Sequence, residues 1–559
     1  MRIAVSLLAL LSLFPPPASA AAEAAVVTTE ICVYGGTAAG VIAAVQAVRM
    51  GRKVVLVNPD VRLGGMTSGG LGQTDVSKKR SIVAGLARQF YEDIAAWYRQ
   101  DSAWTQQRRG DYVPTIIVEP NETAWWNFEP HVAEMIFERY VREKGVTLLR
   151  RERLDLSHGV EKAGARIVAI RLESGRVVRA AFFIDASYEG DLLAKAGVGY
   201  RVGREANTGF GETINGVQPS PAERTSNHQL PPGISAYVRP GDRASGLLPG
   251  IDPSPLEKEG TGDHRVQAYA FRLCLTDAPG NRVPFRRPAD YDERDFEILF
   301  RAFAAGLDRI PWINSAMPNR KTDINNSGGI SMNFIGQNHA YPDADYATRD
   351  RIRTEHRRYQ EGLMWTLANH PRVPESIRAA MAPWGLAADE FKENGGWPEA
   401  LYLREARRMR GAGVMTEHHC VGRVVACDAV ALGAYTMDSH NTRRYVDASG
   451  HVRNEGNVQI RIPEPYPIGY DAITPRADEC ENLIVPVCLS ATHTAYCSIR
   501  MEPVFMMLGQ SAATAAAQAW EQKTSVQQID RAKLRDRLLA DRQLIAWPRA
   551  TNDPAPKAK

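Results

Sequence analysis

The stretch that decides the fold is residues 30–58, which read EICVYGGTAAGVIAAVQAVRMGRKVVLVN. Residues 30–34 form a short apolar run that predicts a strand, and residues 41–50 predict a helix rich in Ala and Val. Gly51 ends this helix, and residues 53–57 predict a second buried strand. Strand, turn, helix and strand in this order make a βαβ unit. Such a unit belongs to a parallel sheet with helices on its faces.

The turn between the first strand and the helix has the spacing of a dinucleotide fingerprint. Its first glycine allows the tight turn, its last lets the helix approach the strand, and free N–H groups at the helix start can hold a pyrophosphate. Thr37 replaces the usual central glycine. Asn58 replaces the usual acidic ribose ligand, and Asp60 is close enough to substitute for it. The predicted cofactor-binding residues are Gly35, Gly36, Thr37, Ala38, Ala39, Gly40, Asn58 and Pro59.

Two further loops support this interpretation. Residues 63–70 (LGGMTSGG) follow the second strand directly, and their glycine pairs give a backbone that can lie flat against a phosphate or a ring. Residues 183–187 (FIDAS) end another strand in a turn made of an acidic residue, a small residue and a hydroxyl residue. Together the three loops indicate a dinucleotide site rather than an isolated glycine turn.

The arrangement resembles the FAD-dependent oxidoreductases with two dinucleotide-binding folds. It is most similar to the bacterial FAD-dependent oxidoreductase family that is sometimes mislabelled as xanthan lyase. The resemblance covers nearly the whole mature chain. It is carried by residues 126–131 (WNFEPH), 184–192 (IDASYEGDL), 203–205 (GRE), 267–269 (QAY), 321–326 (KTDINN), 402–405 (YLRE), 437–440 (MDSH) and 498–503 (SIRMEP).

The resemblance implies an α/β fold: a Rossmann-like FAD-binding domain with a parallel sheet, plus an inserted α+β substrate domain. It also implies bound FAD, with the second glycine loop along the pyrophosphate and flavin and residues 500–509 reaching the isoalloxazine. A helix that begins near Pro503 would direct its positive end at reduced flavin. The implied FAD contacts are Gly64, Gly65, Met66, Thr67, Asp185, Ala186, Ser187, Met507, Leu508 and Gly509.

The candidate catalytic residues are His493, Arg500, Glu502 and His440. Hydride transfer from a C–H bond needs a base for the neighbouring proton, and histidine suits this task near neutral pH. A structural ion pair between Arg500 and Glu502 is the alternative interpretation of those two residues. No metal site is predicted, because adjacent ligands in residues 417–420 (EHHC) would point to opposite faces of a strand.

The predicted organisation has five parts. Residues 1–20 form a signal peptide, and residues 29–204 form the first part of the FAD-binding domain, with a β-hairpin at 166–184. Residues 205–400 form a substrate or cap domain. Residues 401–545 return to the FAD-binding domain with a strand predicted at 483–487, and they end in helices, the last of which begins at a predicted capping box in residues 525–528 (SVQQ). Residues 546–559 are a loose tail.

Composition and the first residues indicate an exported protein. The 559 residues are 44% apolar and 24% charged, with a net charge of +4, so nucleic acid is not an expected partner. One Arg, an apolar run at 3–14 and a small-residue site at 18–20 (ASA) predict a Sec-type signal peptide. No later stretch has 18 consecutive apolar residues, so no membrane span is predicted. The expected location is periplasmic or secreted.

The predicted function is an exported FAD-dependent oxidoreductase that transfers hydride from a small organic donor to FAD. A sugar or other hydroxylated metabolite fits the polar, aromatic-rich insert, and an external electron acceptor of unknown identity would reoxidise FAD. The alternatives are a reductase of an unsaturated acid and an FAD-binding protein without turnover. Paired arginines facing the flavin would favour the acid reductase, whereas the lack of an acid–base group there would favour the binding protein.

Overall fold

The computed structural model describes residues 25–76, 79–116, 121–220 and 228–548. The predicted signal peptide therefore lies outside the described residues, as does the tail beyond residue 548. Within the described ranges, no helix combines the length and the apolarity that crossing a membrane requires.

A seven-stranded sheet, the nucleotide sheet, contains the predicted βαβ unit. Val26–Tyr34 and Val54–Asn58 pair in parallel on either side of helix Ala38–Arg49, with Val33 opposite Leu56. Every residue of the second strand is buried, as expected where helices cover both faces of a sheet. The order across the sheet is Thr147–Arg150, Val54–Asn58, Val26–Tyr34, Val177–Asp185, Arg166–Arg171 and Val160–Ala163, and Leu483–Ile484 also pairs in parallel with Val177–Asp185.

The predicted hairpin is confirmed: Arg166–Arg171 runs antiparallel to Val177–Asp185. Residues 483–487 were expected to form one strand, but only Leu483–Ile484 does so. Their pairing brings the C-terminal part of the chain back beside the first sheet. The parallel, helix-covered core is a Rossmann-like α/β domain.

The helices of this domain pack on the nucleotide sheet and on one another. Helix Glu502–Gln522 lies against Ala38–Arg49 so closely that a Cβ atom on Gly509 would be 2.3 Å from the carbonyl oxygen of Ala39. Small residues at this contact explain the approach. The helices are Ala38–Arg49, Gly85–Tyr98, Pro130–Lys144, Asp191–Lys195, Asn207–Phe210, His493–Ile499, Glu502–Gln522 and Arg531–Ala540.

The start of the last helix corrects one sequence prediction. Residues 525–528 (SVQQ) indicated a capping box, but Val526–Gln528 forms a short 3-10 turn, and Gln528 accepts a hydrogen bond from the Thr524 hydroxyl at 3.2 Å. Among the described residues the Ser525 side chain makes no capping hydrogen bond, so the box is not formed. Asp530 caps Arg531–Ala540 instead by accepting from the amides of Ala532 and Lys533.

A second, fully antiparallel sheet, the cap sheet, is built from residues 274–387. It has its own apolar core, which includes Leu275, Ile324 and Leu363. The longest helix of this region, Tyr346–Asn369, is called the cap helix below. The strand order is Arg282–Val283, Gly385–Ala387, Cys274–Thr276, Lys321–Asn326 and Trp312–Met317, and the helices are Glu297–Ala304, Tyr346–Asn369 and Glu375–Met381.

Short two-stranded ribbons join the two regions. Leu401–Tyr402 pairs with Ala270–Phe271, so the chain beyond residue 400 still contacts the segment before the cap sheet. Residues 417–420 form a short helix rather than the expected strand. The remaining pairs are Arg408–Met409 with Tyr200–Arg201, Ala429–Gly433 with Tyr466–Gly469, Met437–Ser439 with Val458–Ile460, and Arg443–Val446 with Val452–Glu455.

Candidate functional site

The glycine turn, residues 35–40, lies at the carboxyl end of the first strand of the nucleotide sheet. Gly35 has a φ of +103°, and a Cβ atom there would lie 2.6 Å from the amide nitrogen of Ser187. A Cβ atom on Gly40 would lie 1.9 Å from the carbonyl oxygen of Gly35. Neither position has room for a side chain, so the backbone makes the close approach that the fingerprint requires.

The start of helix Ala38–Arg49 presents free amides. The Thr37 hydroxyl accepts from the Gly40 amide at 3.2 Å and donates to the carbonyl of Ala186 at 2.8 Å. Within the described part of the chain, the first-turn amides of Ala38 and Ala39 donate to no acceptor. Unpaired N–H groups at the positive end of a helix fit a phosphate group of a dinucleotide.

Asn58, predicted to contact a ribose, already uses its whole amide within the protein. Its Oδ1 accepts from the amides of Gly36 at 3.2 Å and Asp60 at 3.3 Å. Its Nδ2 donates to the carbonyls of Asp60 at 2.8 Å and Arg62 at 2.9 Å. The side chain therefore braces the glycine turn against the next loop. The exposed Asp60 offers a carboxylate close by, and a ribose contact from Asn58 stays a prediction.

The second glycine loop, residues 64–70, lies directly beside the glycine turn. The Gly64 amide donates to the Gly36 carbonyl at 2.8 Å, and Gly64 and Gly65 adopt φ values of +103° and +54°. The Met66 amide donates to the hydroxyl of Tyr188 at 2.9 Å. The structure thus brings the two predicted glycine loops together at one edge of the sheet.

The predicted turn at residues 185–187 forms the opposite wall of this site. One Asp185 carboxylate oxygen accepts from the Ser187 amide at 3.1 Å and hydroxyl at 2.6 Å, and the other accepts from the Leu193 amide at 2.9 Å. Burial raises the pKa of Asp185 to about 6, although these hydrogen bonds oppose the rise. Asp185 fixes the turn that holds Ser187 against Gly35.

A cleft separates these loops from the cap helix, which forms a wall that was not predicted from the sequence. Arg349 of the cap helix lies in the cleft and pairs with both oxygens of Asp191 at 2.7 and 2.8 Å. Guanidinium groups and carboxylates line the cleft in similar number, because Asp60, Glu189, Asp191 and Asp350 lie there as well. The lining includes Tyr34, Gly35, Gly36, Thr37, Asn58, Pro59, Asp60, Gly65, Arg153, Ser187, Tyr188, Arg349, Arg353 and Leu403.

Helix Glu502–Gln522 begins beside the second glycine loop. One Glu502 oxygen accepts from the Tyr188 hydroxyl at 2.6 Å, and the other accepts from the Thr67 hydroxyl at 2.8 Å. Burial raises the pKa of Glu502 to about 7. Arg500 and Glu502 have different partners, so the alternative ion pair between them is not formed.

The later residues of the same helix lie elsewhere. Met507, Leu508 and Gly509 are buried in the helix packing, where Gly509 contacts Ala39. The Met507 carbonyl also accepts a hydrogen bond from Gln543 Nε2 at 2.9 Å. They support the first helix from behind, and direct contact of these three residues with FAD stays a prediction.

A group of buried polar side chains lies next to the second glycine loop. We call Tyr402, Arg404, Asp438, His440 and Arg500 the buried cluster. The Tyr402 ring packs against Met66 and Leu71, which ties the cluster to the loop. Of this group, only Arg500 and His440 were predicted from the sequence as site residues.

Arg500 and His440 meet at Asp438. Arg500 donates to the Tyr402 hydroxyl at 2.7 Å and to the Asp438 carbonyl at 2.8 Å, and it lies 3.5 Å from the Asp438 carboxylate. His440 Nε2 is 3.4 Å from the same carboxylate. Burial and the charge of Arg404 lower the pKa of His440 to about 3, so its imidazole is neutral at neutral pH.

His493 lies one layer behind the cluster. Its Nδ1 is 2.8 Å from Glu405 Oε2, and its Nε2 is 3.0 Å from the Ser439 hydroxyl. Burial opposes a charge here, but the neighbouring Cys497 and Glu405 raise the pKa of His493 to about 10. Both ring nitrogens are engaged in a resting imidazolium, so the role of His493 as the proton acceptor stays a prediction.

One group of side chains has the composition of a metal site. Glu129, His131 and Glu390 place one ligand atom each within 4.8 Å of one another. The Lys321 ammonium lies 2.8 Å from Glu129 and 2.7 Å from Glu390, and it also pairs with Asp389. A buried ammonium among these carboxylates supplies the charge that a cation would bring, so the group is an ion-pair cluster between the start of helix Pro130–Lys144 and the cap sheet.

The fold and the site define a class: a Rossmann-like oxidoreductase built around a dinucleotide of the FAD type. The family described as FAD dependent oxidoreductase matches residues 30–538. The chain belongs to this family, and FAD is its cofactor. No curated protein matches the sequence.

Solved flavoenzymes share a smaller part of the structure. L-amino acid deaminase from Proteus vulgaris is 16% identical, with 34% of this chain and 55% of that chain covered and a TM-score of 0.23. A flavin-containing monooxygenase from Stenotrophomonas maltophilia is 16% identical, with 28% of this chain and 38% of that chain covered and a TM-score of 0.18. OxyS anhydrotetracycline hydroxylase from Streptomyces rimosus is 10% identical, with 32% of this chain and 38% of that chain covered and a TM-score of 0.22. The chain thus spans at most about half of each of these proteins.

Proposed function

We propose that this protein is an exported enzyme that transfers hydride from a small organic donor to FAD. The observation that carries the proposal is the contact between two sites. Tyr402 of the buried cluster packs on Met66 of the second glycine loop, so ionisable side chains lie next to the loop that would follow the flavin. A protein that only stored FAD would not need this cluster.

The two regions would divide the work. FAD, when bound, supplies a hydride acceptor. The amides of Ala38 and Ala39 would hold its pyrophosphate at the helix start, and the second glycine loop would extend towards the flavin. Arg500, a buried permanent cation, would stabilise negative charge that develops on reduction.

His440 is the proposed proton acceptor for the donor. Its imidazole is neutral, and it is oriented by Asp438 at 3.4 Å and by the Asn326 amide, whose Nδ2 lies 3.4 Å from His440 Nδ1. A low resting pKa makes it a weak base, and a bound anionic group beside Arg404 would raise that pKa. His493, hydrogen-bonded through Ser439, would position the segment that carries His440.

The donor is proposed to be a polar, hydroxylated metabolite, because hydroxyl, amide and guanidinium groups converge in the cluster. A reductase of an unsaturated acid is the second candidate. The placement of the Arg404 and Arg500 guanidinium groups 4.8 and 5.8 Å from the Tyr402 ring favours it. Both candidates use the same cofactor and differ in the direction of hydride transfer.

Export and reoxidation complete the proposal. Export rests on the sequence of residues 1–20, and recovery of mature protein without them from the periplasm or medium of the native host would support it. All seven cysteines are unpaired in the structure, and six of them are buried. The electron acceptor would be an external small molecule or protein.

The test begins with the purified protein. We expect it to be yellow and to release FAD, and we expect its absorbance to bleach anaerobically with one member of a panel of sugars, polyols and hydroxy acids. If an unsaturated acid instead reoxidises the dithionite-reduced protein, the second candidate function, reduction of an unsaturated acid, is correct. A colourless protein that cannot be reconstituted with FAD would contradict both candidates.

A further inference from the structure

Arg404 is a buried guanidinium that has no acidic partner in the part of the chain that the structure describes. Its side chain donates to the Ala268 carbonyl and, at 3.4 Å, to Asn326 Oδ1, while its Nε has no hydrogen-bond acceptor. The residue is only 1% exposed. Within the described residues, Arg404 forms no ion pair with a carboxylate. Charges this deeply buried are normally paired, because removal from water is costly.

Ten arginines of the described residues are buried, and all of them except Arg404 and Arg444 have such a partner. Arg408, also 1% exposed, lies 2.7 Å from Glu205, and Arg272 binds both oxygens of Asp323. Burial lowers the pKa of Arg404 to about 9, and the nearby Arg500 and Arg272 contribute to that fall. Asp438 opposes part of this fall from a distance, but among the described residues no carboxylate contacts the Arg404 guanidinium.

The position of Arg404 shows where a compensating anion would lie. Its guanidinium is 4.8 Å from the centre of the Tyr402 ring, which packs on the second glycine loop. The Asn326 amide that Arg404 contacts also lies 3.4 Å from Nδ1 of both His440 and His228. An anion on Arg404 would therefore be held among neutral imidazole groups beside the proposed redox centre.

We propose that Arg404 binds a carboxylate of the substrate. A guanidinium presents a planar fork of donors that matches the two oxygens of a carboxylate, and its unpaired Nε can donate to one of them. The substrate class is then an organic acid, whether it is oxidised or reduced. The assignment of the anion as substrate rests on the proposed function, whereas the anion site itself does not.

The test measures carboxylate binding directly, by calorimetry and by the flavin difference spectrum of the FAD-loaded protein. Acetate and succinate are the probes, and succinamide is the uncharged control. We expect Arg404→Met to bind succinate roughly 10- to 100-fold more weakly, because it loses charge-assisted hydrogen bonds. Arg410→Met, which removes the same charge from an exposed site on the same segment, should bind it unchanged.

A second readout separates binding from a structural role. Without carboxylate, Arg404→Met should melt at the same temperature as the wild type or higher, because it removes an unpaired buried charge. Succinate should raise the melting temperature of the wild type and of Arg410→Met, but not of Arg404→Met.

Three results would overturn the proposal: no binding of acetate or succinate by the wild type, equal succinate binding by Arg404→Met, or tighter binding of sulfate than of succinate. If Arg404→Met does not fold, Arg404→Gln takes its place, and succinate binding equal to the wild type by that uncharged variant would make Arg404 a structural residue. The FAD content is measured separately, from the yellow colour of the protein. A protein without FAD would contradict the proposed function, whereas calorimetry on the colourless protein would still test the anion site.

Discussion

The glycine cradle, residues 35–40 and 64–70, and the buried cluster are adjacent but are built by different means. The cradle is made by backbone: positive φ angles, missing Cβ atoms and free amides fix its shape. The cluster is made by side chains from segments about a hundred residues apart, such as Tyr402 and Arg500, which meet at 2.7 Å. The first region can hold a cofactor, and the second can discriminate a substrate.

Because the two regions are built differently, they should tolerate different kinds of substitution. A cradle with no spare volume should fail when one atom is added, because a backbone contact has no rotamer to relieve it. A cluster of hydrogen-bonded charges should tolerate a change of shape but respond to a change of charge. Substitutions in the two regions should therefore affect cofactor binding and redox chemistry separately.

The largest expected effect is that of Gly40→Val. Its Cβ atom would lie 1.9 Å from the Gly35 carbonyl oxygen, so the helix must move away from the strand. We expect loss of essentially all bound FAD and a fall of about 3 kcal/mol in the free energy of unfolding. Pigment content and urea denaturation measure the two effects.

Gly110→Ala is the control, because no atom of the described residues lies within 4 Å of the added Cβ and the φ of Gly110 is not positive. It should retain both FAD and stability. If Gly40→Val purified yellow with normal stability, the shape of the cradle would not depend on this contact.

The cradle was predictable because its determinants are local in sequence. Within residues 30–58, three local signals predict the same backbone geometry: the glycine spacing, the strand before it and the helix after it. Asn58 shows the limit of this reasoning. Its position was predicted, but not that backbone groups at Gly36, Asp60 and Arg62 would use all of its hydrogen bonds.

The cluster was predictable only in part because its contacts are non-local. His440 and Arg500 could be named by residue type, whereas the partners Asp438, Tyr402 and Arg404 depend on how distant ribbons pack. The one available signal was that residues 402–405 (YLRE) and 437–440 (MDSH) place ionisable groups within short motifs. The pairing of Glu405 with His493 has no local sequence signal at all.

Arg500→Met should be the largest effect confined to the cluster. We expect flavin reduction by the true donor to slow by about 100-fold, as on loss of one preorganised donor to a developing anion, while FAD stays bound. The flavin midpoint potential should fall, because the cation that stabilises reduced flavin is gone. Stopped-flow absorbance and dye equilibration measure the rate and the potential.

Two further variants test this interpretation. Arg500→Lys keeps the charge and should recover most of the potential. Arg500→Met/Asp438→Asn removes the buried anion as well and guards against a simple loss of folding. An unchanged potential in all three variants would assign Arg500 a purely structural role.

His493→Gln should produce a smaller effect, seen mainly in stability. A histidine whose pKa rises on folding from 6.5 to about 10 stabilises the protein fully below pH 6.5, and this contribution is lost as the pH rises towards 10. We expect the variant to lose about 2 kcal/mol at neutral pH, the value of a hydrogen bond to a charged group. Its stability should also lack the wild-type decline between pH 6.5 and 10.

The same variant tests His493 as the base. A positioning role predicts that donor-driven flavin reduction slows only a few-fold. A base role predicts a large loss of reduction by donor with normal reduction by dithionite, which needs no proton acceptor in the site. The second pattern would place His493, rather than His440, at the reacting atoms.

Glu502→Gln, at the border between the two regions, should have the smallest effect. Because burial raises the pKa of Glu502 from 4.5 to about 7, the folded state binds more protons than the unfolded state between these values. Wild-type stability must then fall as the pH rises through this window. A single pKa unit is worth about 1.4 kcal/mol, so we expect at least that loss in denaturation series from about pH 4.5 to about pH 7.5.

Glutamine keeps the size of the side chain and removes its titration. Its carbonyl oxygen can accept from the Tyr188 hydroxyl, and the Thr67 hydroxyl can turn to accept from the new NH2 group. Glu502→Gln should therefore flatten the decline and keep FAD bound. If it released FAD instead, Glu502 would belong to the cradle rather than to its border, and one side chain would be as indispensable there as the glycines.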